Sequence, residues 1–379
     1  MSNQILSVTD LQTKINDLIS NKEVRIGHYR FLTRLQMLVP HLIIAAEGLK
    51  MKGKDMSLTE HYGALVKSGL LFYQSNFPDF SGKSRNALFH LEALCRLYRK
   101  SHDEIIFEGL LTQFKELEDG IGRVDYHDAF RADAKKIDAP KEIFGYFTGG
   151  YHVELQNLTK RLLDSEWLCT EGNIVGSPAL ERIIDTLQNI GWKKYKRDRK
   201  NIINALVDGL EKVLKKGGVT EGKPGLDFNE LEDGVHEFRR TVRWLSIYPA
   251  SLGGMCRLSN EDKINPSVAK YLAFATFNED KREKNPINID ANTLLTFSKI
   301  IDDIGNIKDD GQLEEAMSHA MLRTGIVFED KLDESVRKLV HSNKTKLDEI
   351  PQKVKILVDN FLVEKKIPQQ LMSSLKEQL

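Results

Sequence analysis

Wherever apolar residues cluster in this chain they recur with a helical period, and strand-like alternation is hard to find. In "LFHLEALCRLYRK" at 88–100, Leu88, Leu91, Leu94, Cys95 and Tyr98 share one face. In "LLTFSKIIDDIGNI" at 294–307, Leu294, Phe297, Ile300, Ile301 and Ile304 do the same. Spacings of three and four place side chains above one another on a helix, whereas a strand would need a period of two. Proline breaks helix interiors, and only 10 occur in 379 residues. The pattern predicts an all-α protein, with less than about a tenth of its residues in strands against the usual quarter.

Punctuation divides the chain. Ser57 or Thr59 caps a helix near 53–63, "NFPDFSGKS" at 76–84 is a turn, and Pro140 opens a helix after the junction at 135–145. Ser177 and Pro178 form a cap followed by proline at the first helical position. A Gly-rich connector covers 215–230, an irregular stretch with two Asn-Pro pairs covers 251–290, and amphipathic helices form the tail. The expected division is 1–150 for a first helical bundle, 151–345 for a second, and 346–379 for the C-terminal helices. The halves echo one another. "RNALFHLEALCRLYRK" precedes a helix reaching "DGIGRVDYHDAF"; "HEFRRTVRWLSIY" precedes, after an insertion, "IIDDIGNIKDDGQLEEAM". Each half reads as a basic helix, then a helix ending at glycine with aspartate three or four residues on.

Charge narrows the function classes. Lys plus Arg is 55 and Asp plus Glu is 55, so no global basic field drives unselective binding to nucleic acid. Cys95, Cys169 and Cys256 are widely spaced and form no CxxC pair, which argues against a zinc site or a disulfide framework and for a reducing, cytoplasmic setting. The N-terminus shows no signal-peptide pattern, and "LVPHLIIAA" is too short to span a membrane.

Against that neutral total, two helices are loaded with cations. In "HEFRRTVRW" at 236–244, His236, Arg239, Arg240 and Arg243 stand at i, i+3, i+4 and i+7, on one stripe. Like charges at this spacing repel unless an anion sits against them. Phe238, Val242 and Leu245 take the opposite face. In "WKKYKRDRK" at 192–200, Lys193, Lys196, Arg199 and Lys200 lie near one face, with Trp192, Tyr195, Ile202 and Leu206 available to the core; Arg197 points elsewhere, towards Asp198 or solvent. A basic helix face is ordinarily just solvated. Two such faces, one led by histidine and both flanked by aromatics, suit a chain of phosphates, which guanidinium binds bidentately and ammonium as a point charge. A shared site requires helices 191–214 and 231–248 to be neighbours.

These residues resemble the CHAD family, the conserved histidine α-helical domain. "YKRDRK" at 195–200 is similar to the family's tyrosine-led basic run, and His236, Arg239, Arg240, Arg243 and Trp244 match its His-x-x-Arg-basic-x-x-basic-aromatic helix. "IGNIKDD" at 304–310 matches the following helix in Gly305 and Asp309, with Lys308 in a histidine position. The first half departs: "RNALFHLEALCRL" keeps Arg85 and Arg96, but Gly82 stands for the histidine and Asn86, Phe89 and Glu92 for basic residues; Gly122, Arg123 and Asp125 resemble the family's Gly-x-Arg-Asp turn. The resemblance, over roughly 25–340, implies two four-helix bundles with a pseudo-twofold relation. It also implies non-enzymatic binding of inorganic polyphosphate in a basic channel weakened on one side, with no cofactor and no metal.

Two other readings follow from the residues. One is a helical interaction scaffold whose anion site has decayed. The other is a metallophosphohydrolase using Asp302, Asp303, Asp309 and Asp310 with Glu181, Asp185 or Asp198. No HD pair, HExxH motif or Glu-x-x-His pair on facing helices supports the latter, and "HDE" at 102–104 and "HDA" at 127–129 are read as surface residues near loops or helix ends; no P-loop or dinucleotide fingerprint is present, and Cys95 sits at a core position.

Overall fold

A computed structural model describes residues 5–50, 84–171, 174–220, 224–274, 285–340 and 349–379. The caps expected at Ser57 and Thr59, Gly82, and all of the turn expected at 76–84 except Ser84, which begins a helix, lie outside them. Helix accounts for 76% of the structure and the sheets are tiny, so the chain is all-α. Among the described residues, β1 (Cys169–Glu171) pairs antiparallel with β2 (Ile174–Gly176), and β3 (Cys256–Ser259) pairs parallel with β4 (Ile287–Asp290). No helix here is long and apolar enough to cross a membrane, among the described residues.

The chain divides into two compact units, 1–131 with 147–198 and 132–146 with 199–379. The chain passes between the units at 131/132, 146/147 and 198/199, and the tail helices fall in the second unit.

The first unit contains α1 (Val8–Ser20), α2 (Ile26–Lys50), α3 (Ser84–Tyr98), α6 (Pro178–Asn189) and the larger parts of α4 (Glu104–Lys136) and α5 (Lys141–Asp164). Local sequence sets the helix starts. The Ser7 hydroxyl accepts from the Asp10 amide at 3.1 Å while the Asp10 carboxylate accepts from the Ser7 amide, a reciprocal cap. Ser177 caps α6 through the Leu180 amide with Pro178 in the first turn, as the sequence predicts. Phe31, Tyr98, Phe107 and Trp192 pack ring against ring in the core. Within that core Arg30 donates to Asp198 at 2.7 Å, the side chains only 1% and 2% exposed. Asp198 thus faces neither Arg197 nor solvent. It is buried, and its partner lies on α2.

The second unit holds most of α7 (Tyr195–Lys216), a π-helical turn (Leu231–His236), α8 (Glu237–Ser251), α9 (Ala291–Thr324), α10 (Leu332–Leu339), α11 (Ile350–Asp359) and α12 (Ile367–Lys376). Asp290 caps α9 through the Thr293 amide at 2.8 Å, and Gly325, at φ 68°, ends it in the left-handed conformation. Phe238, Val242 and Leu245 of α8, Leu294, Phe297 and Ile304 of α9, and Val354 of α11 supply the core.

The glycines read as helix ends are not ends. Gly122 lies inside the 33-residue α4, and Gly305 inside the 34-residue α9. Each takes an arginine from the preceding basic helix. A Cβ at Gly122 would stand 3.1 Å from Arg85 Nη2, and one at Gly305 would stand 2.9 Å from Arg239 Nη2. The missing Cβ lets a guanidinium lie against helix backbone.

Candidate anion site

The entry to α8 is shaped by one glycine. A Cβ at Gly234 would collide with the Asp227 carbonyl, so the chain crosses itself here only with glycine. The wide turn that follows ends at His236, and α8 then presents its stripe. Phe238, Val242 and Leu245 are buried on the other face, which fixes the rotation of the helix and leaves His236, Arg239, Arg240 and Arg243 partly exposed on their own side.

His236 and the three arginines are joined by a lysine from α9, Lys308, which is buried at 5% exposure. Arg239 donates Nε to the backbone carbonyl of Ile301 at 2.9 Å rather than to a carboxylate. Lys308 Nζ donates to Gln312 Oε1 at 2.7 Å and stands 3.6 Å from Asp309. Arg240 reaches Glu237 at 3.4 Å, a carboxylate also held by Lys216. His236 Nε2 lies 3.8 Å from Glu232, and its buried Nδ1 has no hydrogen-bond partner among the described residues.

The titration behaviour of the groups reflects their crowding. Burial pushes His236 below its ordinary value; Glu232 opposes this, while Lys308, Arg243 and Arg240 push it further down. Burial likewise lowers the Lys308 ammonium, with Arg239 adding to the effect and Asp309 resisting it. For Glu237, burial is outweighed by the hydrogen bond and charge of Lys216, which keep it below the usual carboxylate range. An anion arriving among these groups would offset the charge that depresses His236 and Lys308.

The other residues expected at the site are placed differently. Lys193 and Lys196 belong to the first unit, Arg199 and Lys200 to the second. The Lys193 amide donates to His102 Nε2 at 3.3 Å, and Lys196 and Lys200 are exposed. Within the second unit α7 does pack on α8: Gly209 meets Leu245, and Lys216 donates to Thr241 at 2.9 Å. The helices run antiparallel, so Arg199 lies about 25 Å along α7 from the Lys216 end, where His236 sits, at 1.5 Å per residue. Arg199 instead donates to the carbonyls of Asn285 at 3.0 Å and Gln378 at 2.6 Å. The structure therefore gathers His236, Arg239, Arg240 and Arg243 but not Arg199 or Lys200. Arg85 pairs with Glu118 and with Asp125 at 2.9 Å, and Arg96 with Glu92 at 3.3 Å. Lys308 and Lys216 escaped the sequence reading as contributors; the signal for Lys308 was its place three residues after Gly305.

Three of the carboxylates considered as metal ligands are held by other side chains. Asp302 accepts from Tyr271 at 2.7 Å and Lys270 at 3.1 Å, Asp303 from Lys299 at 2.6 Å, and Asp185 from Lys14 at 2.7 Å. Among the described residues no group of three His, Cys, Asp or Glu is placed to hold a metal ion. Comparison with protein-family models, with curated proteins and with solved structures found no match.

Proposed function

We propose that the second unit binds a phosphate-rich polyanion, inorganic polyphosphate being the simplest, without catalysing a reaction on it. The observation that carries this reading is the meeting of Arg239, Arg240, Arg243, Lys308 and His236, with Arg239 turned to a backbone carbonyl and Lys308 buried beside cations. Such an arrangement holds unfavourable charge repulsion that a chain of phosphates relieves through charge-assisted hydrogen bonds, each contributing about 1.5–3 kcal/mol. The resemblance to CHAD domains in "HEFRRTVRW" points to the same ligand. Three free thiols, at Cys95, Cys169 and Cys256, fit a cytoplasmic setting.

The test is a polyphosphate titration of the wild type and of R239A/R243A, with R182A/R337A as a charge-matched control taken from exposed positions elsewhere. The site variant is expected to lose binding by orders of magnitude and the control to retain it. Equal loss in both would reduce the interaction to net charge. Retained binding with lowered stability in R239A/R243A would make those arginines structural and favour a scaffold.

A further inference from the structure

The echo between the halves extends to atoms, and there it inverts in charge. Arg85 is the second residue of α3 and Arg239 the third of α8, two helices of 15 residues each. With these arginines in register, Ala87, Leu88, Leu91 and Cys95 correspond to Thr241, Val242, Leu245 and Pro249, and all eight are buried. Both guanidinium groups lie over a mid-helix glycine, Gly122 or Gly305. Both donate Nε to the residue four positions before that glycine: Arg85 to the Glu118 carboxylate at 2.7 Å, Arg239 to the Ile301 carbonyl at 2.9 Å. Three positions after the glycine stands Asp125 in the first unit, bonded to Arg85 Nη1 at 2.9 Å, and Lys308 in the second. The same scaffold thus carries two carboxylates where the other carries an isoleucine and a lysine.

We infer that the first unit holds a second anion site of the same design, closed by its own Glu118 and Asp125, whose carboxylates accept from Arg85 Nη2 and Nη1, the two places that ligand phosphate oxygens take on Arg239 in the second unit, where Nε is held by the Ile301 carbonyl. Ile301 and Lys308 are then the residues that leave the second site open. This rests on the reading of the second unit as a polyanion site. The closed site is within reach of solvent: the Arg85 side chain is 28% exposed, against 9% for Glu118 and 15% for Asp125. Removing the two negative charges leaves Arg85 positioned over Gly122 and able to take an anion.

Two reciprocal swaps test this, each titrated with inorganic tripolyphosphate at low salt by calorimetry, with a thermal melt to establish folding. E118Q/D125N opens the first unit and is expected to add one binding site per chain to the wild-type count. I301E/K308D gives Arg239 the two carboxylates that Arg85 has, and is expected to weaken binding at least tenfold with the helical signal unchanged. An opened variant with the same site count as the wild type overturns the inference, as does a closed variant that binds like a wild type that itself binds. The two readings fail separately. If the wild type takes up no tripolyphosphate, the proposed function falls; a site appearing in E118Q/D125N still supports the closure, and none appearing overturns it. Should the opened double variant not fold, D125N alone frees Nη1 and is read in the same titration.

Discussion

Asp198 sits in the middle of the most basic run of the chain, yet it serves the core. Its carboxylate accepts from Arg30 at 2.7 Å and from the Tyr98 hydroxyl at 3.2 Å, and the two charged side chains are 1% and 2% exposed. Replacing it by alanine removes the carboxylate to which the buried Arg30 guanidinium donates. Breaking one side of a buried pair costs about 3–5 kcal/mol, whereas replacing both partners by apolar residues of similar size is often neutral. At about 2–4 °C per kcal/mol for a unit of this size, D198A should melt on the order of 10 °C below the wild type. R30M/D198L should recover most of that loss. Thermal melts followed by far-UV circular dichroism measure both. A D198A melt within about 2 °C of the wild type, which corresponds to less than about 1 kcal/mol, would refute the claim that the pair is desolvated. A double variant no better than D198A would refute the claim that the cost lies in the orphaned charge.

Three further predictions follow from single contacts. Burial, helped by Glu118 and opposed by Arg96, raises the Glu92 carboxyl from 4.5 to about 7, so the folded state keeps a proton that the unfolded chain has released. Stability attributable to this group is therefore full below about pH 4.5 and lost as pH rises to about 7. The E92Q variant should gain on the wild type across that window by up to about 3 kcal/mol in urea denaturation, and a constant difference would contradict it. G305A places a methyl 2.9 Å from Arg239 Nη2 while removing a helix-interior glycine, so it should weaken tripolyphosphate binding with a melting temperature equal to or above the wild type, the gain being at most about 1 kcal/mol. R199A loses charged hydrogen bonds to the Asn285 and Gln378 carbonyls and should destabilise the second unit by about 1–3 kcal/mol, read as faster amide exchange near β4 and α12.

What the sequence disclosed, and what it hid, follows the range of the interactions. Periodicity is local, so the helical class, the Ser177–Pro178 start and the buried face of α8 were all legible. β1 to β4 were not, because strands of three or four residues offer too few positions for an alternating pattern to register. Gly122 and Gly305 were read as stops, the usual role of glycine in a helical pattern; a tertiary contact, the arginine laid over each, keeps them inside continuous helices instead. Arg197 was read as turned towards Asp198 or solvent, and Asp198 also as a metal ligand, although adjacent residues on a helix point apart and the partner of Asp198 is 168 positions away. Arg199 looked like a member of a basic face because its partners are backbone carbonyls, which no side-chain pattern reveals. The stripe on α8 was visible in full. That Lys308 joins it, while Glu118 and Asp125 neutralise Arg85, depends on which residues of a second helix face the first.

The measurement that bears most directly on the central claim is the affinity of the unmodified protein for inorganic polyphosphate at low and at raised salt. Contacts between phosphates and a partly exposed group of Arg and Lys weaken as the Debye length shortens, from about 30 Å at 0.01 M to about 10 Å at 0.1 M ionic strength. The account predicts clear binding at low salt and an affinity that falls steeply as salt rises. No binding at low salt, or binding indifferent to salt, would contradict it.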